Sequence, residues 1–310
     1  LRLVFMGSPQ FAVPVLRFLH LSGHEIAAVY TRPDKPSGRG LETAAPPVKS
    51  AAQDLGLPVV QVGGFKSPEV VSQLAALKPQ AIIVAAFGLI LPKSVLEIAP
   101  LGCINIHPSL LPRYRGPSPV ISTLLAGDKF AGVSVMQLDE GMDSGPVLAR
   151  AQVTVMEEDD ALTLTARLFE IGARMVLEAL AEAEVGQLRP EPQDEALATF
   201  TRQINREDGR IDWSSSALEI WRKTRAFQPW PQAYTYWQGQ QVKILQARPL
   251  PDESQEDPGR VLGLSSGNLL NVKTGSGTLG VNLIQIEGKR AMQAREFLRG
   301  QRDFIGSRFD

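Results

Sequence analysis

One cysteine in 310 residues, Cys103, has no partner for an intrachain disulfide, which excludes a disulfide scaffold. Three histidines and that cysteine show no zinc-type spacing, so no metal site is expected. Long apolar runs are missing as well. The longest stretches, such as residues 81–91, are too short to span a bilayer. The chain opens without a basic segment, an apolar run and a cleavage site, so a cytoplasmic protein with no membrane partner is expected. The net charge of -1 excludes a generic polyanion binder. The charge is uneven, however. Residues 206–310 carry 15 basic and 12 acidic side chains, a balance of +3, against -4 for residues 1–205. Any phosphate-facing surface is therefore expected to be local and weighted toward the C-terminal part.

The length, with 44% hydrophobic residues, suits two domains. Residues 1–6 read as a buried strand ending at Gly7. Ser8 and Pro9 then supply an N-cap and first helical position for the apolar-periodic stretch 11–19. Strand-like runs recur at 25–30, 58–62, 81–86 and 103–106, with helical patterns such as 68–77 between them. This alternation predicts an α/β domain built on a Rossmann-like, mostly parallel sheet. The first turn, Gly7-Ser8-Pro9-Gln10, has one glycine where a dinucleotide fingerprint needs three, which argues against NAD. Residues 132–138 and 147–155 read as later strands and 162–180 as a long amphipathic helix. The Pro-rich polar stretch 190–205 reads as an exposed linker between a catalytic domain, 1–189, and a second domain, 206–310. There Ser216 and Glu219 form a capping box ahead of a helix through Arg225, followed by about five short strands that predict a small β-barrel.

The chemistry concentrates after the strand at 103–106. Alternate residues on a strand share a face, so Asn105 and His107 point together, at the end of a parallel strand where open α/β sheets bind ligands. The Asp139-Glu140-Gly141-Met142-Asp143 segment follows another strand and can bring a carboxylate to them. Acyl transfer to an amine needs a stabilised oxyanion and a route for the amine proton. An asparagine amide and a protonated histidine can donate to the oxyanion, and a nearby carboxylate favours the imidazolium. No serine or cysteine nucleophile is needed, and Cys103 reads as a small buried residue.

Asn105-x-His107-x-Ser109-Leu110-Leu111-Pro112 with Arg115-Gly116, then Asp139-x-Gly141-x-Asp143, resembles the 10-formyltetrahydrofolate-dependent formyltransferases. The resemblance implies that Asn105, His107 and Asp143 are catalytic. It also implies that 10-formyltetrahydrofolate, the formyl donor, lies against Phe87, Gly88, Leu89, Ile90 and Leu91, the Ser109-Leu110-Leu111-Pro112 turn, Asp139 and Gly141.

Which amine accepts the formyl group is read elsewhere. The loop Pro33-Asp34-Lys35-Pro36-Ser37-Gly38-Arg39-Gly40, running on to Lys49, resembles the insertion of the methionyl-tRNA formyltransferase family. So do Arg210-Ile211-Asp212-Trp213, Arg225-Ala226-Phe227-Gln228-Pro229-Trp230-Pro231 and Gly288-Lys289-Arg290-Ala291-Met292. The resemblance spans nearly the whole chain and implies an oligonucleotide-binding-type barrel as second domain, with initiator methionyl-tRNA as partner of a monomer. Candidate tRNA contacts are Lys35, Arg39 and Lys49 in the loop, Arg202, Arg206 and Arg210 near the linker, and Lys289 and Arg290. Leu41 and Glu42 stand where some family members have further lysines, which predicts more salt-sensitive binding. A nucleotide-sugar formyltransferase and a 10-formyltetrahydrofolate hydrolase share the centre and stand as alternatives.

Overall fold

The computed structural model describes residues 1–37, 42–251, 254–265, 267–301 and 303–310. The chain divides into two compact units, one of Leu1–Pro119, Phe130–Thr154 and Thr165–Thr201, the other of Val120–Lys129, Val155–Leu164 and Arg202–Asp310.

The first unit contains β1 (Arg2–Gly7), α1 (Val13–Leu21), β2 (Glu25–Thr31), β3 (Lys35–Ser37), β4 (Glu42–Ala44), α2 (Pro47–Asp54), β5 (Val59–Gln61), α3 (Pro68–Ala76), β6 (Ala81–Ala85), α4 (Lys93–Leu96) and β7 (Cys103–His107). The chain then forms α5 (Pro119–Ala126), β8 (Phe130–Gln137), β9 (Val147–Thr154) and α6 (Ala161–Glu184). Seven strands make one sheet in the order β5-β2-β1-β6-β7-β8-β9. The first five are parallel; β8 runs antiparallel to β7, and β9, antiparallel to β8, returns to the direction of the first five. Central β1 is apolar throughout Leu3, Val4, Phe5 and Met6, all fully buried, as a strand covered on both faces must be. On one face Val4, Met6, Ile82, Val84 and Cys103 pack with Phe65, Phe87, Leu91 and Val95. On the other lies the buried side of α6, with Leu168, Phe169, Val176 and Leu180 at helical spacing. Gly172 lets α6 come close. A Cβ there would meet Ile106 Cγ2 at 2.6 Å and Val133 Cγ2 at 3.1 Å.

Two local expectations change. Ser8 does not cap a helix, because Gln10–Ala12 is a 3-10 turn with no side-chain cap, and the Ser8 hydroxyl instead accepts from the Arg32 amide at 3.2 Å. The residues of 190–205 are mostly exposed, as a connector should be, yet much of the segment is hydrogen-bonded to the first unit. Glu191 exchanges backbone bonds with Val147, and the Arg115 N–H and carbonyl bond Thr199 and Thr201. A polar, proline-containing stretch can be pinned through its backbone without any apolar pattern.

In the second unit, Ser216 and Glu219 form the predicted reciprocal capping box at the start of α7 (Ala217–Ala226). Strands β10 (Ala233–Trp237), β11 (Gln240–Leu250), β12 (Val261–Leu264), β13 (Leu270–Lys273), β14 (Thr278–Ile286) and β15 (Met292–Gln293) follow, then α8 (Ala294–Arg299). The sheet is antiparallel in the order β10-β11-β14-β13-β12, with β15 on β14. Its pairing is open between β12 and β10 among the described residues, in the manner of a partly open barrel. One core joins Trp237, Val242, Ile244, Val261, Val272 and Val281 with Ile220 and Phe297 of the helices. Among the described residues no helix is long and apolar enough to cross a membrane.

Candidate active site

Strand β7 presents Cys103, Asn105 and His107 on one face, with Ile104 and Ile106 on the other, as period-two alternation requires. His107 closes the strand and is 4% exposed. Its Nε2 lies 3.0 Å from the Tyr114 carbonyl, and its Nδ1 lies 3.6 Å from Asp143 Oδ2. A carbonyl only accepts, so Nε2 carries a hydrogen. Both ring nitrogens face acceptors. At 3.6 Å the contact with Asp143 is an ion-pair approach and too long for a good hydrogen bond. Asn105 is half-buried and makes no side-chain hydrogen bond among the described residues, which leaves its amide free to donate.

Asp143 arrives by an indirect route. Strand β8 runs antiparallel to β7, so the loop it feeds starts beside Cys103, where the Leu138 amide donates to the Cys103 carbonyl. That loop must turn back along β7 to reach His107 at the other end. Asp143 completes the turn in a left-handed backbone conformation with φ 49°. Its Oδ2 accepts from the Gly116 amide at 2.8 Å. Gly116 itself has φ 104°, and a Cβ on it would sit 2.9 Å from the Thr201 carbonyl, so the residue is confined to glycine.

The expected folate residues divide by what their side chains do. Phe87 and Leu91 are buried in the core, so only their backbone can meet a ligand. Gly88 is exposed, Leu89 is half-buried and Ile90 is 93% exposed. Ser109 donates its hydroxyl to the Arg113 carbonyl, and the Leu111 amide donates to Ser134 Oγ. Leu110 packs over Gly132, and Leu111 precedes a cis Pro112. Asp139 accepts from the Gly141 amide and from the Ser144 hydroxyl, which shapes the loop that carries Asp143. Cys103 is fully buried and its thiol is pushed up to about 12 by burial, as befits an inert packing residue.

Gln193 and Glu195 escape sequence reading, although the arginine that holds them is in the motif. Arg115, 2% exposed, pairs with both oxygens of Glu195 and donates to Gln193 Oε1. Those hydrogen bonds hold the Glu195 carboxyl below its ordinary value. Gln193 donates in turn to the carbonyls of Asp143 and Gly145. Arg32, at the end of β2, donates to the Gly88 carbonyl at 2.6 Å. The Arg115 pattern is part of the motif, but a glutamine in a polar connector carries no periodicity to mark it.

The basic candidates fare unequally. Arg39 lies outside the described residues. Lys49 is tied to Asp34 at 2.6 Å and to Gln61, Arg202 pairs with Asp208, and Arg290 pairs with Glu296 at 2.6 Å. Each would have to give up or share an acidic partner before meeting a phosphate. Lys35, Arg206 and Lys289 are exposed and make no ion pair among the described residues. Arg210, also exposed, lies 5.9 Å from the Tyr236 ring centroid, near the outer limit of a cation-π contact.

Residues 1–180 match the formyl transferase family, and residues 203–302 match the formyl transferase C-terminal domain. A methionyl-tRNA formyltransferase from Chloroflexus aggregans is 46% identical over 97% of this chain and 97% of its own. Another, from Dehalococcoides mccartyi, is 47% identical over 99% of this chain and 97% of its own. Among solved structures, HypX from Aquifex aeolicus in complex with tetrahydrofolic acid is similar with a TM-score of 0.66 at 20% identity. That match covers 98% of this chain and 48% of HypX, so this chain spans about half of HypX and shares its fold. With an intact Asn-x-His motif, an aspartate carried to it by the following loop and relatives matched over nearly full length, the chain belongs to the methionyl-tRNA formyltransferase family.

Proposed function

We propose that this protein transfers the formyl group of 10-formyltetrahydrofolate to the amino group of methionine esterified to initiator tRNA. The observation that carries this reading is the Asn105, His107 and Asp143 constellation in a chain 46% identical to a methionyl-tRNA formyltransferase over 97% of both. The methionyl amine attacks the formyl carbon, a new N–C bond forms, and the bond from that carbon to N10 of the folate breaks. The amine loses a proton and N10 gains one, so the products are formylmethionyl-tRNA and tetrahydrofolate.

Asn105 donates its free amide to the developing oxyanion. For the His107 ring to take part, one nitrogen must leave its present acceptor. Nε2 faces a neutral carbonyl and Nδ1 a carboxylate, so Nε2 is the cheaper to release. Asp143 then holds the ring from the Nδ1 side during the transfer. The folate is placed against Gly88, Leu89 and Ile90, with the 139–143 loop on its other side. Incubation with 10-formyltetrahydrofolate and charged initiator tRNA tests the reading. Formylmethionine on the tRNA supports it, whereas formate release without transfer would favour the hydrolase, and formylation of an amino sugar nucleotide alone would favour that alternative.

Acceptor recognition is assigned to the loop around Arg39 and to the exposed cations of the second unit. Glycines on both sides of Arg39 allow close approach of a nucleic acid, and a guanidinium can grip a phosphate at two points or stack on an unpaired base. Arg39→Ala is expected to lower kcat/KM for methionyl-tRNA by roughly tenfold or more, the scale of one lost charge-assisted contact. Folate affinity should be unchanged, and Arg39→Lys should restore only part of the loss. A normal rate for Arg39→Ala across a salt titration would remove this loop from acceptor recognition.

A further inference from the structure

We propose that Gln193 is a positioning residue that sets Asp143 against His107; the proposal rests on the catalytic role assigned above to that pair. Asp143 has φ 49°, a left-handed conformation that non-glycine residues adopt uncommonly, aspartate and asparagine more readily than most, and it lies in a loop that doubles back along β7. Such a residue stays in place only if its surroundings over-determine it. The carboxylate is held at one point, by the Gly116 amide. The backbone is held by Gln193, whose Nε2 donates to the Asp143 carbonyl at 2.8 Å and to the Gly145 carbonyl at 2.7 Å. Both hydrogens of one amide are thus used on the two carbonyls that bracket the turn.

The orientation of that amide is itself determined. Gln193 Oε1 accepts from Arg115 Nε at 3.1 Å and Nη2 at 3.0 Å, so a flipped amide would set NH2 against a guanidinium. Arg115 is buried and is anchored to Glu195 by Nη1 at 2.9 Å and Nη2 at 2.7 Å. The order runs from Glu195 through Arg115 and Gln193 to the Asp143 backbone, and from its carboxylate to the His107 ring. Every member lies in the first compact unit. The side chains of Arg115, Gln193 and Glu195 bond one another and the Asp143 backbone rather than the ring, so they act through Asp143.

Two variants separate positioning from simple support. Gln193→Ala removes both arms of the amide, whereas Gln193→Glu keeps an acceptor for Arg115 and loses the two donors. Both are expected to lower kcat by roughly tenfold while KM for each substrate stays within about twofold. A Gln193→Glu enzyme with wild-type kcat would overturn the proposal, because the residue would then serve Arg115 alone. In an Asp143→Asn background, Gln193→Ala should change kcat by less than about twofold, since the group it positions is already gone. Full additivity of the two losses would also overturn it. The His107 ring nitrogen shifts, read by NMR in the free protein, provide a measure independent of turnover. Gln193→Ala should move them and the surface control Gln73→Ala should not; unmoved shifts count against the proposal. Wild-type protein that fails to formylate methionyl-tRNA would defeat the functional reading, and the ring shifts would still decide the role of Gln193.

Discussion

His107→Ala is expected to lower the turnover of formyl transfer by roughly a hundredfold or more, with the fold retained. The ring meets both the Tyr114 carbonyl and the Asp143 carboxylate, at 3.0 Å and 3.6 Å. Its loss removes the proton route and one oxyanion donor together. The half-buried Tyr114 carbonyl loses the ring as donor, at a cost on the order of 1–3 kcal/mol of stability, while Asp143 keeps the Gly116 amide. His107→Gln is therefore the companion variant, because its amide can still donate to the Tyr114 carbonyl but cannot relay a proton. Single-turnover formylation, with circular dichroism to confirm folding, checks both. A folded variant with more than about a tenth of the wild-type rate would show that the ring is not central.

Asp143→Asn should cost a similar factor, roughly a hundredfold in turnover, for a different reason. Asparagine tolerates the left-handed backbone at this position and keeps an oxygen for the Gly116 amide, so the loop stays where it is. What disappears is the negative charge beside Nδ1. Asp143→Ala would confuse the test, because it also strands the Gly116 amide and strains the backbone. If Asp143→Asn retains turnover within a few-fold of wild type while its melting temperature is unchanged, the charge does not serve the chemistry.

The strands of the first unit's seven-stranded sheet were legible in the sequence to within about two residues. The run 81–86 coincides with β6 but for one residue, and the capping box at Ser216 and Glu219 forms as read. Burial on both faces of β1 and β6 leaves a continuous apolar run, and side-chain alternation on β7 places Asn105 and His107 together, so both signals are local. Ser8 shows where local reading fails. Its residue type suits an N-cap, but the competing amide of Arg32 comes from a neighbouring strand that no window around residue 8 contains.

The sequence by itself determined the strand order of chemistry: which strand carries the imidazole and amide, that a carboxylate follows about thirty residues on, and that a second sheet-rich unit comes after. Period-two alternation, apolar runs and a long specific motif are properties of neighbours along the chain, and they survive without coordinates. Only the tertiary structure decided how Asp143 reaches His107. The reversal of β8 puts the start of its loop beside Cys103, so the carboxylate comes back along β7 rather than from a neighbouring strand end. It also decided which cations are compensated, since Asp34 lies 15 residues from Lys49 and Asp208 lies 6 from Arg202. And it drew Gln193 from a polar connector to the turn at Asp143, 50 residues away, because a hydrogen bond needs only donor, acceptor and proximity, none of which leaves a periodic trace in the sequence.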